Sequence, residues 1–137
     1  MTTITVTTTI QAPIDLVRQL YNTPEHIVQR NHASPDWHSP SAKNDLKVGG
    51  KFVYRMEAKD GSMWFDFTGT YDEVREDEKI SYTMNDGRKA TVVFEENWST
   101  NVTIVFDVES ESSEEMQRQG WQAILDNFGT YVESQAT

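Results

Sequence analysis

A chain of 137 residues, with 22 acidic against 12 basic side chains and a formal charge of -10, suffices for a domain that buries about two-thirds of its unfolded surface. The acidic excess repels phosphate backbones and anionic lipid, so nucleic acid is not an expected partner. The absence of Cys excludes disulfides, thiolate metal sites and cysteine nucleophiles. Four Trp, five Tyr and six Phe mean that rings must fill much of the interior, a composition that also suits a pocket wall. The Thr-rich start has neither a basic nor an apolar leader region, and no stretch approaches about 18 consecutive apolar residues. The expectation is a soluble cytoplasmic protein with no membrane insertion.

From Thr2 to Ile10, β-branched residues alternate with period two, Ile4, Val6, Thr8 and Ile10 sharing one face; this predicts a strand. Ala12-Pro13 suits a helix start, and Val17, Leu20 and Tyr21 form its apolar stripe until Asn22-Thr23-Pro24 interrupts. Pro24 opens a second short helix with Ile27 and Val28, and Asn31-His32-Ala33-Ser34-Pro35 ends it. From Asp36 to Gly50 the pattern predicts a loop containing one short strand at Asp45 to Val48. Strands then follow closely. Phe52, Tyr54, Met56 and Ala58 share a face before the turn Lys59-Asp60-Gly61-Ser62; the partner strand, Met63 to Val74, turns Met63, Phe65, Phe67, Gly69 and Tyr71 inward. Gly69 in mid-strand predicts a bulge or a close approach. Lys79 to Met84, Lys89 to Glu95 and Asn101 to Glu109 complete a meander, with Glu76-Asp77-Glu78 read as a solvated turn. Ser112 or Ser113 caps a long last helix, in which Trp121, Leu125, Phe128 and Val132 recur at helical spacing and Met116, Ile124 and Tyr131 widen the stripe. So wide a stripe must lie on the open face of the sheet. Residues 1–137 are expected to form a single domain, since no repeat or linker divides them.

The stretch Asn31-His32-Ala33-Ser34-Pro35-Asp36-Trp37-His38-Ser39-Pro40, the approach Asn44-Asp45-Leu46-Lys47-Val48-Gly49-Gly50 and the segment Phe65-Asp66-Phe67-Thr68-Gly69-Thr70-Tyr71 resemble the START-like, birch-pollen-allergen-like superfamily. Within it they are most similar to small bacterial members related to the C-terminal domain of the activator of the ninety-kilodalton heat-shock-protein ATPase, and Gly120-Trp121 fits as well. The resemblance implies an α+β helix-grip fold: a curved antiparallel sheet of about seven strands wrapped around a long C-terminal helix, with two short helices after the first strand and a cavity between sheet and helix. Relatives often carry Trp where this chain has Arg30, which implies that a ring near the cavity rim is replaced by a cation. Relatives include lipid and hormone carriers, aromatases and cyclases, and cochaperone domains, so the fold alone does not fix an activity.

Phe52, Tyr54, Met56, Phe67, Tyr82 and Met84 of the meander, with Trp121 and Leu125 of the last helix, make an apolar wall bearing two phenols, suited to a lipid or a flat aromatic ligand; the competing reading is a filled core. Asn31, His32, Trp37 and His38 sit in the loop that the helix-grip order places at one cavity mouth. There His38 suits a hydrogen bond to a ligand or a general base, against the plainer role of capping a turn. His26, His32 and His38 are six apart, not the i, i+4 spacing of a helical ligand pair, so no metal and no other cofactor is expected. There is no Gly-x-Ser-x-Gly elbow, and Gly49-Gly50 precedes a strand rather than a helix, so no phosphate cradle is expected either. The leading expectation is therefore a binding domain for a small, hydrophobic or aromatic molecule rather than an enzyme. Two alternatives stand beside it: a protein-interaction module with a partner such as a chaperone, and a cyclase- or aromatase-like enzyme using Tyr54, Tyr82 or His38. A homodimer is a further possibility, and Trp64 and Trp98, turned outward by alternation, suit a contact surface.

Overall fold

The computed structural model describes residues 2–32, 35–110 and 112–136, the last without its side chain. The elements run β1 (Thr3–Ile10), α1 (Ile14–Asn22), α2 (Pro24–Arg30), β2 (Trp37–Asn44), β3 (Lys51–Ala58), β4 (Trp64–Arg75), β5 (Lys79–Met84), β6 (Lys89–Glu96), β7 (Thr100–Asp107) and α3 (Glu114–Ala136). All neighbouring strands pair antiparallel in one seven-stranded sheet of order β1-β7-β6-β5-β4-β3-β2. This is the α+β helix-grip order expected above: six strands form a meander, and β1 returns to pair with the last of them. Part of the break after α2 falls on Ala33 and Ser34, and part of the acidic run before α3 on Glu111, which lie outside the described residues.

The inward faces are those that alternation predicts. Ile4, Val6 and Ile10 of β1, Val92 and Phe94 of β6, and Val102, Ile104 and Phe106 of β7 are all buried. Against them lie Leu125, Phe128 and Val132 of α3 and Val17, Leu20 and Ile27 of the short helices. The free edge of β1 is covered by polar side chains of α3. Arg118 donates to the Thr5 carbonyl at 3.1 Å and Gln122 to the Thr7 carbonyl at 2.8 Å, which blunts an edge open to further pairing. At the N-terminus of α1, Glu96 accepts from the Ile14 amide at 3.0 Å, where an anion also meets the positive end of the helix dipole. At α3, the Ser113 hydroxyl accepts from the Met116 amide at 3.1 Å as an N-cap does.

Four expectations need correction. Asp36 to Gly50 is not mainly loop: Trp37–Asn44 is a full strand paired with β3, and the expected strand at Asp45 to Val48 is instead a tight turn. Pro35 and Pro40 disguised the strand. Pro40 lacks a donor but is tolerated, because β2 is an edge strand and its register shifts between His38 and Ser41. The turn needs its glycine, since a Cβ on Gly50 would overlap the Asp45 carbonyl oxygen. The acidic turn Glu76-Asp77-Glu78 is more than solvated, because Arg18 of α1 binds Asp77 at 2.5 Å and Glu76 at 3.3 Å. Met63 and Phe65 keep the alternation but remain exposed, since this end of β4 projects past the core. Met116 is exposed too. The stripe of α3 continues instead through Gln117, one turn before Trp121, whose amide nitrogen donates to the carbonyls of Ser112 and Glu109 and whose oxygen accepts from the Glu109 amide.

Gly69 marks a close approach. A Cβ there would stand 2.7 Å from two atoms of the Phe52 ring and 2.8 Å from the Thr83 carbonyl oxygen. The ring can move, but the carbonyl belongs to a paired strand. Gly69→Ala is therefore expected to destabilise the fold by about 1–3 kcal/mol, the usual cost of overpacking. Urea denaturation checks this, and an unchanged midpoint would show that β4 and β5 can separate freely.

Candidate functional site

Between the concave face of the sheet and α3 lies a cavity of about 270 Å³. Its floor is the inward side of the meander: Phe52, Tyr54, Met56, Phe67, Tyr71, Ile80, Tyr82 and Ile104. Its roof is Gln117, Trp121, Ile124, Leu125 and Phe128 of α3; Tyr21, Asn22, Arg30 and Asn31 come from the short helices and the residue after them, and Phe65, Arg88 and Glu109 also border it. Strand alternation supplies the floor and the helical repeat supplies the roof. Nine of the lining side chains are aromatic, and several of them meet at steep angles.

The ring geometry is specific. Trp121 stacks on Phe106 with centroids 4.0 Å apart and planes within 9°, and presents an edge to Phe67 at 6.2 Å. Phe52 is the hub of the floor, touching Tyr54, Phe67, Tyr71 and Tyr82 at centroid distances of 5.0–5.5 Å. Burial lifts the Tyr82 and Tyr54 hydroxyls well above the ordinary phenol range near 10, Tyr54 being helped further by Tyr71, so both remain neutral phenols at any physiological pH. Asn44 of β2 donates to the Tyr71 hydroxyl at 3.4 Å and, more strongly, to the Asn22 carbonyl at 2.7 Å, which ties the edge strand to α1.

Of the residues singled out from sequence, Phe52, Tyr54, Met56, Phe67, Tyr82, Trp121 and Leu125 come together on the cavity wall. Three do not. Met84 is buried in the core beside Gly69 but off the wall, and Trp37 packs on the rim with its ring 5.9 Å from that of Phe65. His38 faces outward on β2, with its Nε2 3.7 Å from a Glu57 oxygen and its side chain partly exposed. The reason is the strand that the sequence hid: in an edge strand His38 stands opposite the outward Glu57, while Trp37, opposite the inward Ala58, shares the concave face but lies against Phe65 rather than on the cavity wall. The three histidines have separate partners. His26 bonds the Tyr131 hydroxyl at 2.5 Å and His32 lies 3.4 Å from the Asn127 amide nitrogen. Among the described residues no group of three or more His, Asp or Glu is placed to hold a metal ion, and no helix is long and apolar enough to cross a membrane.

Sequence reasoning missed Tyr21, Tyr71 and Phe128 as wall residues, and placed Asn31 only at the mouth and Arg30 only near the rim. Tyr71 was already on the inward face of β4, so period two could have found it. Arg30 had no such signal, because α2 is a seven-residue helix with too few turns to define a face. In the structure Arg30 is 3% exposed and lies between rings, its Cζ 4.7 Å from the centroid of Tyr21 and 4.9 Å from that of Phe128.

A sheet of this order gripping one long helix, with a ring-lined space between them, is the arrangement that comparison with known proteins recognises. The family described as Activator of Hsp90 ATPase homolog 1-like protein matches residues 11–133. The chain belongs to that family. Among solved structures, the solution structure of an AHSA1-like protein from Aeromonas hydrophila superposes with a TM-score of 0.92 at 42% identity, over 98% of this chain and 94% of that one. A protein from Cytophaga hutchinsonii is 47% identical, with a TM-score of 0.81 over 97% of this chain and 92% of that one. A protein from Nitrosomonas europaea shares the fold at 18% identity, with a TM-score of 0.84 over 97% and 95% of the two chains. No curated protein matches. The AHSA1-like fold commonly binds hydrophobic ligands.

Proposed function

We propose that this protein binds a small, largely apolar, ring-bearing molecule in the space between the sheet and α3. The observation that carries the reading is the cavity itself, about 270 Å³ lined mainly by aromatic and aliphatic side chains together with a smaller set of polar groups. Such a wall favours flat ligands through edge and face contacts, while isolated polar groups set orientation. Size narrows the choice. An apolar cavity of roughly 150 Å³ accepts benzene, so the present one suits one or two fused rings or a short acyl chain and is small for a diacyl lipid.

Titration of the isotopically labelled chain with a panel of mono- and bicyclic aromatics and medium-chain alkanes, each with neutral and charged members, tests this. Shifts are expected to cluster on Phe67, Tyr82, Trp121 and Leu125, together with quenching or a spectral shift of tryptophan fluorescence from Trp121. If every member of the panel leaves those residues unmoved, the reading fails.

A further inference from the structure

The cavity contains a group that a purely apolar ligand would leave unused. Arg30, the last residue of α2, borders it and is 3% exposed. Its Nη2 donates to the Tyr21 carbonyl at 2.6 Å and its Nη1 to Asn31 Oδ1 at a long 3.4 Å, while its Nε–H has no acceptor among the described residues. A guanidinium carries five N–H donors, so these contacts leave most of its capacity unspent. The ionisable side chains that share the cavity wall with it are Tyr21, Tyr54, Tyr71, Tyr82, Arg88 and Glu109. Glu109 lies on the segment leaving β7, where its backbone is held by Gln117.

A buried cation without a counter-charge is costly, and the two ring faces of Tyr21 and Phe128 offset only part of that cost. Among the described residues, no acidic side chain forms an ion pair with Arg30. An anion brought by the ligand supplies what is lacking, and a carboxylate matches the planar fork of a guanidinium. The phenols of Tyr54 and Tyr82 on the same wall stay neutral and add no negative charge beside Arg30.

We infer that the molecule held in this cavity is an organic acid, its apolar one- or two-ring body lying along Phe52, Phe67 and Trp121 and its carboxylate turned toward Arg30. This rests on the cavity reading above and goes further by assigning the ligand its charge.

Matched pairs of probes test it: 2-naphthoate with 2-naphthamide, and benzoate with benzamide, titrated by calorimetry and amide shifts into the wild type, Arg30→Met and Arg30→Lys. The wild type is expected to bind each acid at least tenfold more tightly than its amide. Arg30→Met is expected to abolish that preference while still binding the amide, and Arg30→Lys to retain it in part, since it keeps the charge and loses the fork. Equal binding of acid and amide by the wild type, or a preference that survives in Arg30→Met, overturns the inference and leaves the cavity reading standing. Binding of neither member of either pair overturns the inference, and the wider panel above then decides the cavity reading. Should Arg30→Met fail to fold, the wild-type ratio and Arg30→Lys decide: a preference undiminished in Arg30→Lys counts against the fork.

Discussion

Phe128→Ala is expected to lower the free energy of unfolding by about 3–5 kcal/mol, toward the upper end of the range for a core aromatic. Three losses combine. The ring is fully buried, so its transfer from water is forfeited outright. It meets Tyr21 edge-on with centroids 5.1 Å apart, a contact worth about 0.5–1.5 kcal/mol beyond its area. It also offers one of the two faces against which the Arg30 guanidinium lies. Removing it leaves a buried cation with a single ring and a larger hollow beside it. Urea unfolding measures the change, with an unaltered m-value showing that the native fold persists. A cost below about 1 kcal/mol would mean that α2 and α3 close over the gap, and that the packing around Arg30 is looser than these distances imply.

Ile124→Trp is expected to have the opposite signature, preserving or raising stability by up to about 2 kcal/mol while weakening ligand binding by more than tenfold. Ile124 is half-buried on α3 and borders the cavity, so an indole at this position has free volume to enter. Filling a native hollow commonly stabilises a protein by about 0.5–2 kcal/mol. The same atoms then occupy the space that a ligand requires. Thermal unfolding and the probe titrations described above, made on the same sample, give both halves. Binding that survives with wild-type affinity would place the ligand elsewhere on the molecule. A loss of several kcal/mol in stability would show instead that the space is too tightly walled to accept a second large ring.

The two substitutions separate the roles of rings around one cavity. Both border the cavity, but Phe128 is fully buried and packs against Tyr21 and Arg30 of the short helices, whereas Ile124 is only half-buried on the roof. The ligand and the core therefore compete for the same interior, and Arg30 stands at the boundary between them.

Period-two alternation from Phe52 to Ala58 and from Val102 to Val108, and the recurrence of Trp121, Leu125, Phe128 and Val132, are local properties that survive in any context. They sufficed to define the last helix, the sheet apart from its edge strand and much of the apolar floor and roof of the cavity. The resemblance in the Phe65 to Tyr71 segment added the way in which helix and sheet meet. Tertiary contacts decided the rest. The edge strand Trp37–Asn44 exists because β3 offers it a ladder, and nothing within Trp37-His38-Ser39-Pro40 signals that partner. His38 left the site for the same reason, and Gln117 displaced Met116 because it satisfies polar groups where the chain leaves β7. The fate of Arg30 was the least legible of all. A cation near the end of a short helix normally lies in water, and only the closure of Tyr21 and Phe128 around it removes that water. Burial is a property of the assembled surfaces rather than of the residue, which is why alternation and helical spacing gave the walls of this cavity while the folded chain alone gave it a charge.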